Sequence, residues 1–147
     1  LNCDVCLMHM KGEPRTMQAD PRYDDVVAEV VDYLAGRAEA AMAAGVARER
    51  IWLDPGLGFG KTPAHNLSLT KHLDRLVALG FPVLYGVSRK RMIQSIDPTA
   101  TDPLDRLGGS LALALEAARR GARLIRVHDV RQTVQALRLQ SAVADAI

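Results

Sequence analysis

Ile51-Trp52-Leu53-Asp54-Pro55-Gly56-Leu57-Gly58-Phe59-Gly60-Lys61 is a short apolar run that breaks into an acid, a proline and alternating glycines. The run reads as a buried strand, and Asp54 stands where that strand gives way to a loop. Gly56, Gly58 and Gly60 let the backbone take positive φ and pass close to a ligand. Pro55 sets the exit angle and removes one backbone donor. Phe59 stands between the last two glycines and can offer a flat face. The stretch predicts a pocket rim at the end of a strand.

Strand and helix signals alternate on both sides of it. Val5 to Met10 reads as a strand closed by Lys11-Gly12-Glu13-Pro14. Val26, Val27, Val30, Val31, Leu34, Ala38, Ala41 and Met42 are spaced for one face of a helix, with Gly45 as its stop. Arg50 to Asp54 is the second strand. Asn66 is placed to cap a helix with Leu67, Leu69, Leu73, Leu76 and Val77 inward, ending at Gly80. Phe81 to Val87 forms a third strand, with Pro82 tolerable at its start. Ser88-Arg89-Lys90-Arg91 follows, then a short helix through Ile96 and a polar loop from Asp97 to Pro103. A long helix runs from Leu104 to Arg120 and stops at Gly121. Ala122 to Val127 is the fourth strand, and Asp129 with Gln132 resembles the capping box of a last helix. Four βα units without a hairpin signal, built on strands apolar on both faces, indicate a parallel sheet. Two architectures fit: an open doubly wound sheet, or part of a (β/α)₈ barrel.

The 147 residues suit a single domain. Hydrophobic residues at 48% and charged residues at 24% supply a core and a polar surface. Nineteen Lys and Arg against 17 Asp and Glu leave +2, too even to favour a nucleic-acid partner. No run approaches the ~20 apolar residues of a membrane span, and no leader has the pattern of a signal peptide. Cys3 and Cys6 have the spacing of a redox pair or half a zinc site. On a strand, side chains three apart point to opposite faces, and no second cysteine pair completes a zinc site. The expectation is a cytoplasmic protein with structural thiols. Leu1 opens almost directly into a strand pattern, which suggests a chain entered part-way through a fold.

In either architecture, ligands bind at the carboxyl ends of the strands. Those ends offer Met8 and Met10, Trp52 and Asp54, Gly86 and Ser88 with Lys90 beyond, and Arg126 with His128. Each pair keeps a period of two, so its members share a face, while Leu53, Val87, Ile125 and Val127 take the other. Plainer readings stand beside these. Asp54 before Pro-Gly is also an ordinary turn former. Lys90 is also a solvated helix start, although a cation there opposes the helix dipole and favours an anion nearby. Met8, Met10 and Trp52 read as core. Arg126 inside an apolar strand is expected to be buried and therefore to need a partner. Gly60-Lys61-Thr62 after a strand has the form of a phosphate-loop tail, but Pro55 occupies the first glycine's position and Pro63 removes an N–H the phosphate would use.

Four segments, taken together, resemble the dihydropteroate synthase family: Leu7-Met8-His9-Met10-Lys11-Gly12-Glu13-Pro14-Arg15-Thr16-Met17-Gln18, Asp54 to Lys61, Gly86-Val87-Ser88-Arg89-Lys90, and Arg126-Val127-His128-Asp129. They follow the family's order and spacing over essentially the whole chain. The resemblance implies a TIM (β/α)₈ barrel, with residues 1–147 as its C-terminal half, strands five to eight. It implies condensation of 6-hydroxymethyl-7,8-dihydropterin diphosphate with p-aminobenzoate, releasing pyrophosphate, in folate synthesis, with sulfonamides competing at the aminobenzoate site. By the same likeness, Asp54, Lys90, Arg126, Met8 and Gly86 would bind the pterin. Arg126 and His128 would hold the diphosphate, and Phe59, Ser88, Arg89 and Lys90 would form the aminobenzoate side. Lys90, Arg126 and His128 would be the catalytic groups. Mg²⁺ would be the cofactor, its Asn ligand lying in the first half of the family barrel and not in this chain. A homodimer through helices of this half is also implied. The segment alone is expected to bind pterin weakly, to catalyse little and to self-associate through its two open sheet edges. Alternatives are a methyltetrahydrofolate-type pterin methyltransferase and a non-catalytic pterin-binding half-barrel.

Overall fold

The computed structural model describes residues 3–146. Strand β1 (Val5–Met8) pairs in parallel with β2 (Ile51–Asp54), in register from Val5↔Ile51 to Met8↔Asp54. Leu53 bridges in parallel to Val83, just before β3 (Leu84–Tyr85), and β3 pairs in parallel with β4 (Leu124–Ile125). The strands therefore follow one another in chain order without a reversal. A doubly wound sheet is marked by such a reversal, so the sequential order fits a partial barrel wall.

Helices cover one face of this wall. They are α1 (Val26–Ala43), α2 (Pro63–Lys71), α3 (Leu73–Val77), α4 (Arg91–Gln94), α5 (Leu107–Arg119) and α6 (Val130–Ala144). None of them is long and apolar enough to cross a membrane. Leu53, Val83, Tyr85 and Val87 point into the helix layer and are at most 1% exposed. There they join Val30, Leu34, Ala38, Leu69, Leu73, Leu76 and Ala117 in one core. The alternate residues face the other way. Cys6, Met8, Leu124 and Arg126 are exposed, and Trp52 is half-buried, because nothing among the described residues lies over that face.

Local chemistry explains the helix starts, and corrects some of them. Asp25 caps α1 by accepting from Val27 and Ala28 N–H, and Gly45 ends the turn at φ 93°. For α2 the cap is Thr62, not Asn66: Thr62 and His65 bond each other's backbone N–H, and Pro63 takes the first helical position. Asn66 lies inside the helix, Leu67 points to solvent, and a break at His72 separates α2 from α3. The stretch from Leu104 to Arg120 begins as a 3₁₀ turn (Pro103–Arg106) and becomes α-helix at Leu107. Strands β3 and β4 are much shorter than the expected Phe81–Val87 and Ala122–Val127 runs. Arg123 and Leu124 N–H both reach the Val83 carbonyl, an irregular start to that ladder. Cys3 precedes β1, so strand alternation applies only to Cys6. Both thiols are exposed and free.

Candidate active site

The glycine stretch turns tightly at the end of β2. Gly56, Gly58 and Gly60 have φ of 66°, 80° and 67°. A β-carbon on Gly56 would collide with the His9 carbonyl, and one on Gly60 with that of Lys11. Close approach to the β1 loop thus demands glycine at both positions. Asp54 is 6% exposed at the centre of this turn. Its Oδ1 accepts the Gly56 N–H at 2.7 Å. Burial raises its carboxyl pKa, while that hydrogen bond and the positive charges of Lys90, Arg126 and Lys61 pull it back. Met8 is its register partner on β1.

Lys90 reaches from the β3 loop across to the glycine turn. Its ammonium donates to the Leu57 carbonyl and lies 4.7 Å from the centre of the Phe59 ring. Burial pushes its pKa down to about 8, with Asp54 opposing and Arg126 adding to the shift. Gly86 is the seat of Arg126: a β-carbon there would lie 2.8 Å from Nη2 and 3.2 Å from Cζ. The guanidinium therefore lies directly over the Gly86 backbone. Arg126 is exposed rather than buried. The expectation of a buried arginine fails because, among the described residues, β4 is paired on one side only and nothing covers its open face.

Ser88 and His128 are bonded to each other. The Ser88 hydroxyl lies 3.0 Å from His128 Nδ1 and accepts the His128 backbone N–H at 3.2 Å. Gly86, Ser88, Lys90, Arg126, Val127 and His128 line one small notch of about 110 Å³. Phe59 and Lys90 belong as well to a larger cavity of about 680 Å³, whose far wall is Gln18 to Pro21 and whose floor includes Pro63, Asn66 and Met92. Lys90 is shared by the two. Ser88 and Arg89 do not line the larger cavity.

Arg89 stands at φ 60°, the one left-handed non-glycine residue among those described. Its guanidinium is paired with Asp129, its N–H bonds the Ser110 hydroxyl, and its carbonyl accepts from Arg106. Asp129 was expected to cap α6 through a capping box. Its carboxylate makes no such cap bond and goes to Arg89 instead, which holds its pKa below the usual range.

Sequence reading overlooked several braces of this site. Arg106, 5% exposed, donates to the carbonyls of Ala100, Arg89 and Thr101 and to Gln94 Oε1. Asn66 Oδ1 accepts from Gly58 N–H. Gln18 donates to Gly58 O and accepts from Lys61 N–H. Burial holds the Lys61 ammonium pKa down at about 7. Of these, Gln18 and Lys61 stand in segments that carry the family likeness, but nothing in the sequence shows that they brace the turn. Among the described residues no group of three or more His, Cys, Asp or Glu side chains is placed to hold a metal ion.

Comparison with known proteins follows the same outline. The family described as pterin binding enzyme matches residues 1–128. Dihydropteroate synthase of Neisseria meningitidis serogroup C is 51% identical over 140 residues, covering 95% of this chain and 49% of that protein. The Yersinia pestis dihydropteroate synthase, solved as a sulfonamide drug complex, superposes with a TM-score of 0.92 at 43% identity, over 97% of this chain and 51% of that one. The Thermus thermophilus enzyme in complex with 4-aminobenzoate gives a TM-score of 0.88 at 48% identity, over 95% and 56%. The chain spans about half the length of the curated relatives it matches.

Proposed function

Because the chain belongs to the pterin binding enzyme family, we propose that it supplies strands five to eight of a dihydropteroate synthase barrel and the pterin half of that enzyme's site. The observation that carries this reading is convergence. Gly86, Lys90, Arg126 and His128, from the carboxyl ends of two successive strands, line one notch that shares Lys90 with the Phe59 cavity. Asp54, at the end of the strand before them, lies within reach of the charges of Lys90 and Arg126. The relatives support the synthase over the methyltransferase alternative.

In this reading, Asp54 accepts two donors from the amino and ring N–H edge of the pterin. The Gly56 hydrogen bond fixes the carboxylate plane, and the surrounding cations favour the ionised form. Lys90 donates to the pterin carbonyl and ring nitrogen. Arg126, flat over Gly86, stacks on the ring and meets the diphosphate together with His128. Met8 closes the pterin slot beside Asp54. The Thermus enzyme, solved in complex with 4-aminobenzoate, supports p-aminobenzoate as the second substrate, and Phe59 with the Lys90 ammonium 4.7 Å from its ring offers the wall for it.

The reaction breaks the bond between the pterin methylene carbon and the diphosphate oxygen, and the electron pair leaves with pyrophosphate. The aryl amine nitrogen forms the new bond to that carbon and gives up one proton to the medium. A neutral arylamine needs no strong base, so the principal work is stabilising the departing anion, a task for Arg126, His128 and Lys90. Mg²⁺ belongs to the proposal through the family likeness. The described residues bring together no group of three or more His, Cys, Asp or Glu side chains that could hold it. A homodimer, a cytoplasmic location and sulfonamide competition at the Phe59 cavity complete the reading.

The test, made on the complete barrel that joins this chain to its first half, is pyrophosphate release on adding p-aminobenzoate to pterin diphosphate. Lys90→Ala and Arg126→Ala are each expected to lower the rate about a hundredfold or more. Unchanged turnover in both variants would remove the site assignment.

A further inference from the structure

Lys61, rejected above as a phosphate-loop lysine, is turned inward and is 3% exposed. Its Nζ lies 2.8 Å from His9 Nδ1, 3.0 Å from the Gly56 carbonyl and 3.1 Å from the Phe59 carbonyl, with a longer contact of 3.4 Å to His9 O. Among the described residues no carboxylate forms an ion pair with it. An ammonium has three hydrogens, and three close acceptors meet them. Two of those acceptors belong to the glycine turn, and the third stands at the end of β1. His9 can serve as acceptor because its ring is neutral: burial first, then the charges of Lys61 and Lys11, lower its pKa to about 4.

The rest of the turn is secured in the same way. Asn66 takes Gly58 N–H, Gln18 takes Gly58 O and Lys61 N–H, and the Tyr23 hydroxyl donates to Gly60 O at 2.7 Å. Two of the backbone N–H groups that a phosphate loop would turn toward a ligand, those of Gly58 and Lys61, are thus occupied from within. Phe59 is the side chain of the turn that faces the large cavity, and its own carbonyl is one of the three groups on Lys61.

We propose that Lys61 is a positioning residue: its inward ammonium fixes the curl of residues 56–60 and so holds Phe59 beside Lys90, as the wall that receives the aryl amine. The proposal rests on the synthase reading for the identity of that substrate. The curl itself is a property of the turn.

Two variants of the full chain test it. Lys61→Ala deletes three carbons and the ammonium, the equivalent of propylammonium, and Lys61→Met keeps most of the stem without the charge. Both are expected to raise the KM for p-aminobenzoate about tenfold or more, while pterin binding by calorimetry stays within about twofold. Added propylammonium restores the KM of Lys61→Ala and does nothing for Lys61→Met, whose stem fills the space. A p-aminobenzoate KM unchanged in both variants overturns the proposal. So does joint loss of both substrates without rescue, and so does failure of both variants to fold, which would make Lys61 a core residue. If the complete unmodified barrel, this chain together with the first half its relatives carry, releases no pyrophosphate on adding p-aminobenzoate, the synthase reading fails and the curl is judged by the ¹⁵N resonance of His9. An acceptor-type Nδ1 that changes in Lys61→Met upholds it, and a protonated Nδ1 overturns it.

Discussion

Arg89 and Asp129 are joined by two hydrogen bonds, Nη2 to Oδ1 at 2.6 Å and Nε to Oδ2 at 3.1 Å, across the loops that follow β3 and β4. One residue earlier on each loop, Ser88 and His128 are joined as well. These two rungs set the distance between the loop that carries Lys90 and the loop that carries His128. They also hold Arg89 in a backbone conformation that a non-glycine residue visits rarely.

Asp129→Asn keeps the shape of the side chain but loses the charge-assisted pair. It is expected to lower turnover about tenfold, with a smaller effect on the p-aminobenzoate KM, because the diphosphate side of the site is loosened. Arg89→Gly removes the backbone strain along with the pair, so it should lower activity without a matching loss of stability. Steady-state kinetics paired with urea denaturation separates the two. Full activity in both variants would leave the rungs without a role.

Gly86→Ala places a methyl group 2.8 Å from the Arg126 guanidinium, at the end of a flexible and exposed side chain. The arginine can move away at little cost to the fold. The expected result is a shift in stability within about 0.5 kcal/mol, together with pterin affinity about tenfold weaker. Calorimetry and thermal melting on one preparation check both halves. An unchanged affinity would show that Arg126 does not stack where Gly86 seats it.

Stability should rise with pH above neutrality. Lys61 and Lys90 have folded-state pKa values of about 7 and about 8, both below the ordinary 10.5. Between the folded and ordinary values the unfolded chain binds more protons than the folded one, so raising the pH favours the fold across that window. Burial is the first cause in both cases, and the cost of the buried charge is fully present below pH 7. Lys61→Met removes one of the two contributions and should flatten the rise. Urea midpoints across the window, compared between variant and unmodified protein, measure it, and an equal slope in both would refute the assignment.

A polypeptide of these 147 residues alone should self-associate. Among the described residues, strands β1 and β4 each have one neighbour, and Met8 and Leu124, at 37% and 40% exposed, lie on a sheet face without a cover. Light scattering at increasing concentration reads the outcome, and a monomer throughout would contradict it.

Much of the fold was legible because its signals are local. The helical spacing from Val26 to Met42 and the stop at Gly45 needed no knowledge of partners, and neither did the break from Leu53 into the glycine turn. Where a residue had two possible partners, local reading chose the nearer one. Asp129 had a cap at hand four residues before α6 completes its first turn, yet it pairs with Arg89, 40 positions away in sequence. Asn66 resembled a helix cap, yet Thr62 makes the cap and Asn66 braces Gly58.

Sequence alone determined the alternation of strand and helix, the glycines that the turn after Asp54 requires, and the residue types that converge on the strand ends. These follow from backbone sterics and periodicity, which act over a few residues. Tertiary structure decided the strand order, the direction in which Lys61 points, the exposure of Arg126 and the pairing of Arg89 with Asp129. A charged side chain takes whichever acceptors the fold brings within about 3 Å, and the deciding ones here are distant in the chain: His9 is 52 positions from Lys61, and Asp129 is 40 positions from Arg89.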